Sequence, residues 1–98
     1  MGVFVYENRD IEVDDRVLAH LQVVIVDKLR RRESFPLTLD DDGRSVTMWL
    51  APATALQFVF HGNRVPKLNR NWLERLAESA GSANGLQQVP EPPDLDAS

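Results

Sequence analysis

Asp14-Asp15-Arg16-Val17-Leu18-Ala19-His20-Leu21-Gln22-Val23-Val24-Ile25-Val26-Asp27-Lys28-Leu29-Arg30-Arg31-Arg32 is the stretch on which the fold turns. Val17, Leu18, Leu21, Val24, Ile25 and Leu29 recur at three- and four-residue spacing, the period of an amphipathic helix. Asp14 and Asp15 offer a capping carboxylate to the free N–H groups at its start, so a helix is expected through about Arg32. At about 100° per residue, Ala19, Val23 and Val26 form a second apolar stripe on the opposite side. A helix with one buried face does not need it. Either a second copy or a partner covers that stripe, or a loop or the C-terminal segment of the same chain does. The first reading is preferred.

Upstream, Val3 to Tyr6 and Ile11 to Val13 are short β-prone runs joined by Glu7-Asn8-Arg9-Asp10, which predicts an opening hairpin. Downstream, Phe35, Leu37 and Leu39 alternate with polar residues, Asp40-Asp41-Asp42-Gly43 turns the chain, and Val46, Met48 and Leu50 alternate again. Pro52 interrupts this pairing before Leu56, Phe58 and Phe60 mark a fifth strand, ended by Gly62-Asn63. Asn71 with Glu74 resembles a capping box, and Trp72, Leu73, Leu76, Ala77 and Ala80 line one face of a second helix that Gly81 stops. The order β-β-α-β-β-β-α predicts an α+β domain, a mainly antiparallel five-stranded sheet with two helices on one face. The other face then carries Thr47, Trp49, Gln57, Val59 and His61, joined by Phe4 and Tyr6 if Val3 and Val5 point inward. Ala19, Val23, Val26, Trp49 and Val59 are accordingly the candidate interface.

At 98 residues, 43% of them apolar, the chain supports one domain, expected over 1–89. Residues 90–98 read as a flexible acidic tail rich in proline. A net charge of −4 argues against holding nucleic acid or an anionic membrane through total charge. The chain has no cysteine, hence no disulfide, thiolate site or thiol nucleophile, which suits a reducing compartment. Its opening residues carry no basic leader and its longest apolar run, Val23 to Val26, is far below a membrane span. A soluble, cytoplasmic protein without membrane association is the expectation.

Eight of the eleven bases fall in two groups: Lys28, Arg30, Arg31 and Arg32 at the end of the first helix, and Arg64, Lys67, Arg70 and Arg75 before and within the second. Phosphate is the obvious ligand, so Arg30, Arg31, Arg32, Arg64, Lys67 and Arg70 are candidate nucleic-acid contacts. For the first group the plainer reading is favourable interaction with the helix dipole. Asp40-Asp41-Asp42-Gly43 lacks the spaced ligands of a calcium loop and reads as a solvated turn. His20 and His61 have no partners at metal-ligand spacing, so no metal or cofactor is expected. No serine lies in a nucleophile-elbow context and no phosphate-binding glycine motif occurs. Trp72 reads as core, whereas Trp49 could be core or a stacking surface.

Asp14 to Val24, Lys28-Leu29-Arg30-Arg31, Glu33-Ser34-Phe35, Trp49-Leu50-Ala51-Pro52, Leu56-Gln57-Phe58, Leu68-Asn69-Arg70, Gly85-Leu86 and Val89-Pro90-Glu91-Pro92-Pro93 together resemble a family of uncharacterised actinobacterial proteins of about this size. The resemblance covers almost the whole chain. Its members often carry the label ATP-dependent DNA ligase, which would require a nucleophilic lysine in Lys-x-Asp-Gly. Lys28 is followed by Leu29-Arg30-Arg31 and Lys67 by Leu68-Asn69-Arg70, so that motif is absent. The resemblance implies a bacterial, cytoplasmic setting and a shared fold, and supplies no catalytic residues. A non-catalytic interaction module that self-associates is the leading expectation. The alternative is a nucleic-acid accessory protein.

Overall fold

The computed structural model describes residues 1–64 and 66–94. Strands β1 (Gly2–Tyr6) and β2 (Arg9–Val13) form the opening hairpin, and helix α1 spans Asp15–Arg30. Asp14 caps α1, its side chain accepting from the Arg16 and Val17 N–H groups. Strands β3 (Phe35–Asp41) and β4 (Arg44–Leu50) form the second hairpin, followed by β5 (Leu56–Val59), helix α2 (Arg70–Ala80) and a short β6 (Leu86–Gln87). Among the described residues the sequence periodicity thus finds both helices and five of six strands.

The single five-stranded sheet is not what forms. Two three-stranded sheets do, in the orders β2-β1-β5 and β4-β3-β6. After β4, Thr54 N–H donates to the Ala51 carbonyl and the Thr54 hydroxyl accepts from Ala51 N–H, closing a turn around Pro52. The chain leaves the edge of β4, and β5 pairs antiparallel with β1, Phe58 opposite Phe4. β6 runs parallel to β3, with Leu86 opposite Leu37. Gly85 permits this approach. It sits at φ +76°, and a Cβ there would collide with Pro36.

Both hairpin turns are tighter than expected. Tyr6 pairs with Arg9, leaving only Glu7-Asn8 in the first; Asp41 pairs with Arg44, leaving Asp42-Gly43, both at positive φ, in the second. Two successive positive φ values match the right-handed twist of the flanking strands, which explains why Asp-Gly suits this position. On β1, Phe4 is buried and Val3 and Val5 face outward, the reverse of the orientation that would have put Phe4 and Tyr6 on the outer face.

One core joins both sheets and both helices. Leu18, Leu21 and Ile25 of α1 meet Phe4 and Ile11 of the first sheet, Leu37, Leu39 and Leu50 of the second, and Trp72 and Leu76 of α2. α1 packs on β1, α2 packs on β3 and β6, and the helices touch each other. The helical layer therefore bridges the two sheets. Among the described residues, no helix is long and apolar enough to cross a membrane.

Candidate interaction groove

The sequence separates an apolar stripe on α1 from two basic clusters; folding brings part of each together. Val23, Val24 and Val26 of α1 and Leu73 and Ala77 of α2 line an open groove of about 750 Å³ between the helices. Val23 and Val26 are 40% and 41% exposed, while Val24 is nearly buried. Ala77, expected in the core, is exposed beside the groove, about 100° round the helix from Leu76 and off the face that Trp72, Leu76 and Ala80 bury. Helix α2 begins at Arg70 with Asn69 as its cap, the Asn69 side chain accepting from Trp72 N–H. Asn71, read as the start of a capping box, is already inside the helix.

Lys28, Arg30, Arg31 and Arg70 stand on the groove rim together with Asp27 and Glu74. Arg31 donates to Asp27 at 2.6 Å, one helical turn away, and Lys28 donates to Glu33 at 3.0 Å. Arg32 lies past the helix at φ 61°, its N–H donating to the Leu29 carbonyl. Arg64 and Lys67 border two smaller hollows; the first shares Gln22 with the main groove, the second shares Arg70 and Leu73 with it. The cations are thus spread along one side of the helical layer and interleaved with carboxylates.

The other candidate interface residues do not join this groove. Ala19 is buried, facing a hollow lined by Phe60, Gly62 and Pro66, which settles its share of the second stripe within the chain. Asp15 holds this loop, accepting from Gly62 N–H at 3.0 Å. Trp49 is 58% exposed on β4, opposite Pro36, and its carbonyl accepts from the Tyr6 hydroxyl. Val59 is exposed on β5 opposite Val3, on the outer face of the other sheet.

Sequence reading missed the polar cluster behind the groove. His20 is fully buried, its Nδ1 lies 2.7 Å from the Arg16 carbonyl, and its Nε2 accepts from Asn69 N–H at 2.8 Å. Asn69 Nδ2 donates to Glu91 Oε2 and to the Pro92 carbonyl, Asn71 Nδ2 to the Pro93 carbonyl and Trp72 Nε1 to the Val89 carbonyl. Arg16 clasps Glu91 with two nitrogens at 2.8 and 2.6 Å. This hydrogen-bonded guanidinium, with Asn69, pulls the Glu91 carboxyl down to about 2. Residues 89–94 are in this way strapped across the helices, while 95–98 lie outside the described residues. Proline carries a carbonyl and no N–H, so a proline-rich strap presents acceptors, and asparagine and indole supply the donors it needs. Only Asn69, three residues before Trp72, left a trace in the sequence; Arg16 and Glu91 are too far apart for any local pattern to pair them.

A larger open hollow of about 810 Å³ runs beside the strap, bordered by Arg16, Thr38, Asp40, Ser45, Gln87 and Glu91. Among the described residues no three histidine or carboxylate side chains gather as a metal site.

A family model described as Domain of unknown function (DUF7882) matches residues 1–91. The chain belongs to the DUF7882 family. No curated protein and no solved structure matches it. The span shared with DUF7882 takes in both sheets, both helices and Glu91 of the strap.

Proposed function

We propose that this protein is a non-catalytic interaction module that pairs with a second copy of itself through the groove between α1 and α2. The observation that carries the reading is the pair Val23 and Val26, two-fifths exposed on a helix whose opposite face is closed by the core. The rim supports a second copy as occupant. A two-fold contact sets one patch against itself and needs both signs of charge within it, and Asp27 and Glu74 stand beside Arg30 and Arg70. The two valines of each copy, four in all, supply on the order of 3–5 kcal/mol on burial, so the association should be about millimolar. A cysteine-free chain suits such a module in the cytoplasm.

Sedimentation across a dilution series tests the pairing. The parent should shift from dimer to monomer with dilution, and Val23→Asp should stay monomeric while keeping its fold. A parent that is monomeric at every concentration would end the proposal.

One observation favours a second reading: Arg30, Arg31 and Arg70 share one groove. A module binding nucleic acid through these bases, with Arg32, Arg64 and Lys67 flanking, would lose affinity steeply as salt rises. The carboxylates among them weigh against a phosphate track, and absence of binding to DNA and RNA at low salt removes this reading.

A further inference from the structure

The bonds around His20 define its protonation state by geometry. A main-chain N–H can only donate, so the Asn69 N–H at 2.8 Å makes Nε2 a bare acceptor; the one ring proton of a neutral imidazole is then on Nδ1, donating to the Arg16 carbonyl. A second proton at Nε2 would set one N–H against another inside the core. The ring is fully buried and lies against Trp72, centroids 4.4 Å apart, so it has no room to turn away.

Asn69 is where this bond meets two others. Its Oδ1 caps α2 through Trp72 N–H, and its Nδ2 holds Glu91 and the Pro92 carbonyl of the strap. Trp72, whose ring touches His20, holds the Val89 carbonyl. Displacing Asn69 from His20 therefore disturbs the helix cap and the strap anchors at one point. We propose that His20 is a proton-operated latch: with Nε2 bare, the start of α2 and the strap 89–94 are held on α1, and a proton taken from solvent at Nε2 releases them together.

The charged groups facing the ring are Arg16 from α1 and Glu91 from the strap; α2 contributes Asn69 and Trp72, neither of which titrates. Burial lowers the affinity of His20 for a proton below the ordinary histidine range, and Arg16 adds to this, while the bond to the Arg16 carbonyl and the Glu91 charge oppose it. Glu91 titrates near 2, so it stays ionised where a histidine takes up its proton. A release at mild acidity thus belongs to the ring. Arg70 follows directly on Asn69 and Leu73 lies one turn further along α2, both bordering the groove, so opening the latch would alter that face, but the latch stands without the pairing proposed for it.

Proton–nitrogen NMR of the full chain from pH ~7.5 to ~4.5 tests the latch. The Trp72 indole N–H, bonded to Val89, is the reporter, and that of exposed Trp49 is the internal reference. The expected result is loss of protection at the Trp72 indole and the Asn69 amide, by about tenfold per pH unit below the onset, with core amides of α1 and β3 unchanged. His20→Gln retains an acceptor for Asn69 and cannot titrate, so its strap should stay closed throughout. The latch is overturned if the Trp72 indole and the Asn69 amide keep their protection, if His20→Gln opens as the parent does, or if the whole domain unfolds in one step with them.

Discussion

At the residue scale the polar side chains that matter here act through geometry rather than exposure. Glu91 gives a direct case. Its carboxyl is held near 2 in the folded chain against an ordinary value of 4.5, so folding favours its ionised form. The unfolded chain binds the proton first, and the stability this ion pair contributes is complete above about pH 4.5 and is lost as pH falls toward about 2. Urea midpoints measured across that window should fall in the parent and be flatter in Glu91→Gln. Asn69→Ala removes a helix cap, usually about 1 kcal/mol, and also takes the Nδ2 donor from the Pro92 carbonyl and one of three donors from Glu91, so a loss of about 2 kcal/mol is expected in urea denaturation. Gly85→Ala should cost as much or more, since it sets a methyl into Pro36 and a non-glycine residue at φ +76°.

The elements show which physical signals travel in a sequence. Both helices and both hairpins are legible because their patterns are local: three- and four-residue spacing on α1, strict alternation on β3 and β4. Ala77 follows Leu76 by about 100°, which carries it off the face that Trp72, Leu76 and Ala80 bury at four-residue spacing, and a small apolar residue gives no signal of which side of that edge it takes. β6 has two residues, too few for any period. On the outer stripe of α1, Val23 and Val26 are exposed, whereas Ala19 is buried beside a loop held by Asp15. Because Val23 is two-fifths exposed, Val23→Asp should change the monomer's unfolding free energy by less than about 1 kcal/mol, whereas Leu21→Ala, on the fully buried face, should lose about 2–5 kcal/mol. Thermal unfolding of the two variants at high dilution separates a surface stripe from a core stripe.

For the whole molecule, the unreadable part was long-range pairing. Which edge β5 joins depends on where the turn around Pro52 sends it and on Phe58 meeting Phe4, 54 positions earlier in the numbering and at 5.5 Å between rings. Composition misleads in the same way at the C-terminal segment: prolines and acids argue for a tail, yet a carbonyl-rich segment is what Asn69, Asn71 and Trp72 can hold. A flexible appendage would be dispensable, and the strap should not be. Removing residues 89–98 takes away the acceptors of Trp72 Nε1, Asn69 Nδ2 and Asn71 Nδ2 and the carboxylate partner of Arg16. At about 0.5–1.5 kcal/mol for each net hydrogen bond, the shortened chain should lose about 2–4 kcal/mol, a large fraction of what a domain of this size holds. Its urea midpoint should drop accordingly, and Trp72 emission should move toward that of an exposed indole. An unchanged midpoint would return residues 89–94 to the status of a tail and place the domain boundary before them.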